Sequence, residues 1–247
     1  MPQSDRLTAL VSRFRLVVSP SPADEANLAI VGTSQDAPDR VLFHPGKSAI
    51  GLHSASLLLT AKVEWGGTNN PLVAALPEKV EYDLADRPMM ANVAALMCGE
   101  VQNRRCGLHS VISRLGEVLV VHMLRAQMEA GSTRPGLVGG LSDPRLGRAI
   151  VAIHDNPGHA WRREELAEIA GMSLSRFSEL FLERVGETPS AYLRRWRLIL
   201  AQQDLRDGDR VETIAHRYGY ESADGFTRAF RRYYGQNPVA YRNRIAA

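Results

Sequence analysis

The chain has 247 residues, 45% hydrophobic and 23% charged, with a net charge of +3, which is room for two modest domains of ordinary globular composition. The opening MPQSDRLTAL has no apolar signal core, and no run of roughly eighteen apolar residues follows, so neither a secretory leader nor a membrane span is expected, and the expected location is cytoplasmic. Two cysteines, Cys98 and Cys106, exclude a disulfide framework and a four-cysteine zinc site.

From the N-terminus, the pattern over 6–18 predicts a short helix. Short apolar runs at 41–43, 49–52 and 57–63, set between Pro and Gly punctuation, predict strands. Residues 88–130 read as helical, with Leu108, Val111, Ile112, Leu115, Val118, Leu119 and His122 at helical spacing along one apolar face. That face would serve a homodimer or packing against the strands equally well. GSTRPGLVGG at 131–140 breaks the pattern and is the expected linker. Asp143 then caps a helix with Pro144 in its first turn, running to Asp155. Further helices are expected at 162–170, 174–185, 189–206, 210–217, 222–234 and 238–245.

Charge is distributed unevenly between these zones. Residues 1–140 carry 13 Lys+Arg against 13 Asp+Glu, whereas residues 141–247 carry 17 Arg, no Lys and 14 Asp+Glu. An all-arginine basic set suits bidentate contact with phosphate or guanine, although the acids dilute it and a solvated helical surface would look similar.

The helical zone contains an internal repeat. Leu166, Ala167 and Gly171 recur 48 residues later as Ile214, Ala215 and Gly219, and Phe177, Phe181, Gly186, Pro189, Ala191 and Tyr192 recur 49 later as Phe226, Phe230, Gly235, Pro238, Ala240 and Tyr241. In each copy a short helix ends at a Gly able to adopt the left-handed conformation, Ser173 or Ser222 caps a second helix, and a Phe pair at i, i+4 faces inward. Two helices joined by such a turn form a helix-turn-helix, whose second helix can enter a DNA major groove. The helix between the copies, at 1.5 Å per residue, is roughly 27 Å long, near the ~34 Å between successive major-groove segments. Helix-turn-helix geometry also occurs in purely structural bundles; the duplication and the arginines favour double-stranded DNA as a partner.

IAHRYGYESADGFTRAFRRYYGQNPVAYR (214–242) closely resembles the signature of the AraC/XylS family of transcriptional regulators, and LAEIAGMSLSRFSELFLERVGETPSAYL (166–193) resembles that family's first helix-turn-helix. Segments RLTALVSRF, NPLVAALP, CGLHSVISRLGEVLVVHMLRAQM and DPRLGRAIVAIHDNPGHAW resemble the cupin-type regulatory domain of one branch of the family. The resemblance implies an α+β chain: a short cupin-like β domain with helices at 1–130 for regulation or dimerisation, the linker, and an all-α domain of seven helices with two helix-turn-helix units at 141–247. It implies a DNA-binding activator, RNA polymerase as partner, a small-molecule effector and no cofactor. The stretch between Arg15 and Val41 is short for a full set of cupin strands, so either the barrel is incomplete or its strands have diverged.

With Leu174, Phe177 and Phe181 inward, Ser175, Arg176, Ser178 and Glu179 are expected to face DNA. Arg176 suits guanine O6 and N7; Glu179 suits cytosine N4, or is a solvated helix charge. With Phe226, Phe230 and Tyr233 inward, Asp224, Thr227, Arg228 and Arg231 face out, and the resemblance makes Arg228 and Arg231 DNA contacts. Asp224 and the helix-weakening Gly225 suggest that this second helix contacts backbone more than bases. Arg194, Arg195 and Arg232 are lesser candidates.

His44 and His53 lack a third converging ligand, which argues against a cupin metal site and against a catalytic cupin. A DNA-repair enzyme carrying the same module would need more cysteines than this chain has. Cys98 and Cys106, with Arg104 and Arg105 beside the latter, are either a redox pair for oxidant sensing or buried inert thiols.

Overall fold

The computed structural model describes residues 7, 16–34, 37–45, 57–65, 76–103, 105–131 and 135–246. The chain divides into two units, Leu10–Val138 and the residues from Gly139 onward.

In the first unit the described residues form one five-stranded antiparallel sheet: β1 (Leu16–Pro20), β2 (Leu28–Ser34), β3 (Ala37–Phe43), β4 (Leu57–Trp65) and β5 (Val80–Asp83), in the order β1-β4-β2-β3-β5. β4 shows why it is a strand. Leu59, Ala61, Val63 and Trp65 are buried, while the intervening Thr60, Lys62 and Glu64 are more exposed, the period-two pattern of a half-buried sheet. The buried Asn27 side chain extends the ladder: its Nδ2 donates to the Val63 carbonyl (3.0 Å) and its Oδ1 accepts from the Val63 N–H (2.7 Å). The stretch between Arg15 and Val41 holds β1, β2 and the start of β3. Leu16–Val18, expected as the end of a helix, are strand, because pairing with β4 decides between two structures that a short apolar run permits. The strand expected at 49–52 and the rest of the helix expected at 6–18, apart from Leu7, lie outside the described residues.

Helices α1 (Pro88–Asn103) and α2 (Leu108–Ala130) pack against each other and on this sheet. α1 buries Met90, Val93, Ala94, Met97 and Cys98, an i, i+3, i+4, i+7, i+8 stripe. α2 buries Ile112, Gly116, Leu119, Val120, Met123 and Leu124, so its inward face is rotated from the expected one, and Val111 and Val118 are exposed. Gly116 accounts for the rotation: its missing side chain leaves the space that Val18 of β1 fills. The Tyr82 hydroxyl of β5 donates to the Met123 carbonyl (3.0 Å) and accepts from Gln127 (2.8 Å), pinning α2 to the far edge of the sheet.

Next come α3 (Leu137–Ser142), α4 (Pro144–Asp155), α5 (Arg163–Ala170), α6 (Leu174–Val185), α7 (Pro189–Arg206), α8 (Val211–Arg217), α9 (Ala223–Tyr234) and α10 (Pro238–Ala246). Residues 137–140, expected within the linker, begin α3, in which Leu137, Val138 and Leu141 are buried. Asp143 caps α4 by accepting from the N–H groups of Arg145 (2.8 Å) and Leu146 (3.2 Å). α7 is the spine of this unit: Tyr192, Leu193, Trp196, Leu198, Ile199, Leu200, Ala201 and Leu205 are all buried, far more of its circumference than one stripe. No described helix is long and apolar enough to cross a membrane.

Candidate nucleic-acid interface

The sequence repeat is a repeat in space. In the first copy, Leu166 and Ala167 of α5 are each 2% exposed, and the Ser173 hydroxyl accepts from the Arg176 N–H (3.4 Å) to start α6. In the second, Ile214 and Ala215 of α8 are buried, and the Ser222 hydroxyl accepts from the Gly225 N–H (3.1 Å) to start α9. Phe177 and Phe181 lie 5.5 Å apart between ring centroids, Phe226 and Phe230 5.6 Å. Tyr192 then meets Phe181 at 5.7 Å, edge-on, as Tyr241 meets Phe230 at 5.7 Å. Thr188 and Asn237 cap the following helices through Ala191 (3.3 Å) and Ala240 (2.8 Å). Like side chains at matched positions therefore build the same supersecondary unit twice.

The turn of the second copy is the more tightly fitted. Gly219 lies at φ 69°, and a Cβ there would run into the carbonyl oxygen of Gly158 in the loop after α4. Arg197 of α7 fastens that loop, donating to the carbonyls of Pro157 (2.6 Å) and His159 (2.8 Å).

The outward faces of α6 and α9 carry the expected residues. Ser175, Arg176 and Glu179 are exposed and Ser178 is half-buried; Asp224, Arg228 and Arg231 are exposed and Thr227 is half-buried. Arg176 Nη1 is 3.8 Å from Glu179 Oε2, an exposed i, i+3 pair. Such a pair contributes little stability, so either member is free to leave for a base edge. Tyr233 departs from expectation at 44% exposed. Tyr234 takes the inward place, 4.6 Å from the Phe230 ring and 6.1 Å from Tyr241, because it continues the i, i+4 spacing of Phe226 and Phe230.

The arginines sort into two sets that sequence could not separate. Arg148 donates to the Ala170 carbonyl (2.9 Å), and Arg217 bridges Asp204 and Asp209 at 2.6 Å each. Arg195 lies over the Tyr192 ring and donates twice to Glu187 (2.8 and 2.5 Å). Burial alone would lower the Arg195 pKa, but the Glu187 carboxylate more than offsets it and the net shift is upward. These groups, with Arg197, hold the unit together. Arg194, Arg228, Arg231 and Arg232 are exposed and have no carboxylate partner among the described residues.

The cysteines are not brought into a pair. Cys98 lies on the buried face of α1, where burial pushes its thiol up to about 11; Cys106 is exposed in the turn between α1 and α2. Arg104 and His53 lie outside the described residues. Among the described residues no three His, Cys, Asp or Glu side chains converge on a metal-sized site.

The chain matches the helix-turn-helix domain family over residues 166–244 and the cupin family over residues 10–129. A helix-turn-helix-type transcriptional regulator of Haemophilus influenzae is 33% identical over 176 residues, covering 71% of this chain and 59% of that protein. A Streptomyces antibioticus protein named as an AraC-like transcription regulator is 38% identical over 134 residues, 53% of this chain and 44% of that one. The DNA-binding domain of AdpA, a global transcriptional factor solved in complex with a target DNA, is 32% identical and covers 41% of this chain and 92% of that chain, with a TM-score of 0.38. The chain spans about half the length of the curated relatives it matches.

Proposed function

Because the chain belongs to the AraC family of transcriptional regulators, we propose that it is a sequence-specific DNA-binding regulator that reads double-stranded DNA with α6 and α9. The observation that carries this reading is the twice-built helix-turn-helix, with matching aromatic packing behind each recognition helix and polar side chains in front of it. Ser175, Arg176, Ser178 and Glu179 serve one major-groove segment, and Asp224, Thr227, Arg228 and Arg231 the next. Residues 1–130 receive the signal, a small molecule in the simplest case, and residues 141–247 bind DNA in the cytoplasm and engage RNA polymerase as an activator. The exposed Val111 and Val118 of α2 offer a face for a second copy of the chain. Oxidant sensing through thiols would have to begin at Cys106, since a thiol with the raised pKa of Cys98 holds almost no thiolate near neutrality.

The test is footprinting on DNA upstream of the protein's own gene and its neighbours, at two salt concentrations. The expected result is protection over two successive major grooves, with specificity retained at the higher salt. Salt-sensitive binding with no footprint on any fragment would sink the two-headed reading.

A further inference from the structure

α7 and α9 enclose a groove of about 650 Å³ whose walls carry Arg194, Arg195, Arg228 and Arg232. Ala191, Leu198 and Ala229 supply small or apolar surface between the guanidinium groups, and the half-exposed Tyr233 ring completes the lining. Glu187 is the single acid on the lining, and Arg195 already neutralises it through two short hydrogen bonds. Arg194, Arg228 and Arg232 are therefore three uncompensated charges at one concave site. Arg228 and Arg232 stand one turn apart on α9, the helix proposed to enter the major groove, so the groove runs beside that helix.

We propose that this groove seats the DNA sugar-phosphate backbone alongside α9, with Arg194 and Arg232 as phosphate contacts that carry no base information. The proposal rests on the DNA-binding reading above and deepens it. The chemistry selects the occupant. Guanidinium groups present planar forks that match phosphate oxygens bidentately. A row of them along one groove, with the only acid occupied, suits a polyanion. Arg195 is held by Glu187 rather than left free. The sequence alone ranks Arg194 and Arg232 low because they lie 38 residues apart; the packing of α9 on α7 brings them together.

The test measures the affinity of the full-length protein for a footprinted duplex and for a scrambled duplex of equal length, across a salt series. Arg194→Gln and Arg232→Gln are each expected to weaken binding to both duplexes equally. Each should reduce the slope of log K against log salt by about 0.9, and the double variant by about 1.8. Arg232→Lys, which keeps the charge, should retain the wild-type slope, and thermal melting confirms that each variant is folded. Unchanged slopes in both Gln variants would overturn the proposal, as would a loss confined to the footprinted duplex, which would make these residues base readers. Should the wild-type protein bind neither duplex at any salt, the DNA-binding reading itself fails, an outcome separate from unchanged slopes in a protein that binds.

Discussion

Nε2 of His154 in α4 lies 2.6 Å from the phenol oxygen of Tyr192 in α7, at a site where each residue is only 1% exposed. The His154 ring also stacks on Trp196 at 4.0 Å, so a polar bridge and an aromatic stack join the first helix before the repeat to the spine between its copies. Burial pushes the Tyr192 hydroxyl far above its ordinary pKa, favouring the neutral phenol. Tyr192→Phe keeps the ring against Phe181 but removes the hydroxyl from a buried partner. It is expected to destabilise the helical unit by about 1–3 kcal/mol. Urea unfolding followed by helical circular dichroism and by tryptophan emission checks this; a midpoint unchanged from wild type would contradict it.

Two glycines that end successive helices of the second helix-turn-helix, both at positive φ, are expected to differ in their tolerance of alanine. Gly235, at φ 73°, has open space around its missing side chain, so Gly235→Ala incurs only backbone strain of about 1–2 kcal/mol. Gly219→Ala incurs the same strain and in addition drives a methyl into the Gly158 carbonyl, an overpacking of about 1–3 kcal/mol more. Thermal melts of the two variants should rank Gly219→Ala below Gly235→Ala, and equal melting temperatures would contradict the close approach.

The two thiols are expected to react differently. At pH 7 a thiol reagent should label Cys106 quickly and Cys98 only after unfolding. The raised pKa of Cys98 also links to stability. An unfolded thiol ionises near its ordinary value of 9.0, while the folded one stays protonated to about 11. The unfolded state therefore releases its proton first, and this group's contribution to stability is present below pH 9 and lost as pH rises from 9 towards 11. Melts of wild type and Cys98→Ala across that window should show a shallower alkaline decline in the variant.

In DNA binding, Arg176→Ala is expected to cost about 1–3 kcal/mol on a footprinted site and to relax the preference at one base pair. Arg228→Ala should likewise weaken specific binding. Competition among single-base variants of the footprinted duplex checks both, and affinity retained by either variant would remove that residue from the interface.

Much of the helical unit was legible in the sequence because punctuation is local. Ser173, Thr188 and Ser222 mark helix starts, and Gly186 and Gly235 mark stops, through bonds reaching only a few residues. Helix limits expected at 174–185 and 189–206 match those of α6 and α7. What was illegible depended on partners distant in sequence. Leu16–Val18 became a strand only because β4 pairs with it, and α2 turned its face because Val18 fills the gap at Gly116. The exposed Tyr233 and inward Tyr234 were readable, by contrast, since Tyr234 continues the i, i+4 spacing of Phe226 and Phe230. The outward residues of α6 and α9 could be named early, because a helix whose buried pair is known has its other side fixed. Which arginines tie the unit together could not, since Glu187, Pro157 and Asp204 had first to be brought beside them.

If α6 and α9 read DNA as proposed, the burial of α7 has a consequence for the spacing of the target sites. α7 is packed on most of its circumference and tied by Arg197 to the loop beside the second turn, contacts that oppose its lengthening or swivelling. One extra base pair between two half-sites rotates the second by about 35° around the duplex, and a stiff ruler cannot follow it. Target sites would then be recognised by their spacing as strictly as by their letters, and single-nucleotide insertions between half-sites would weaken binding as much as substitutions within.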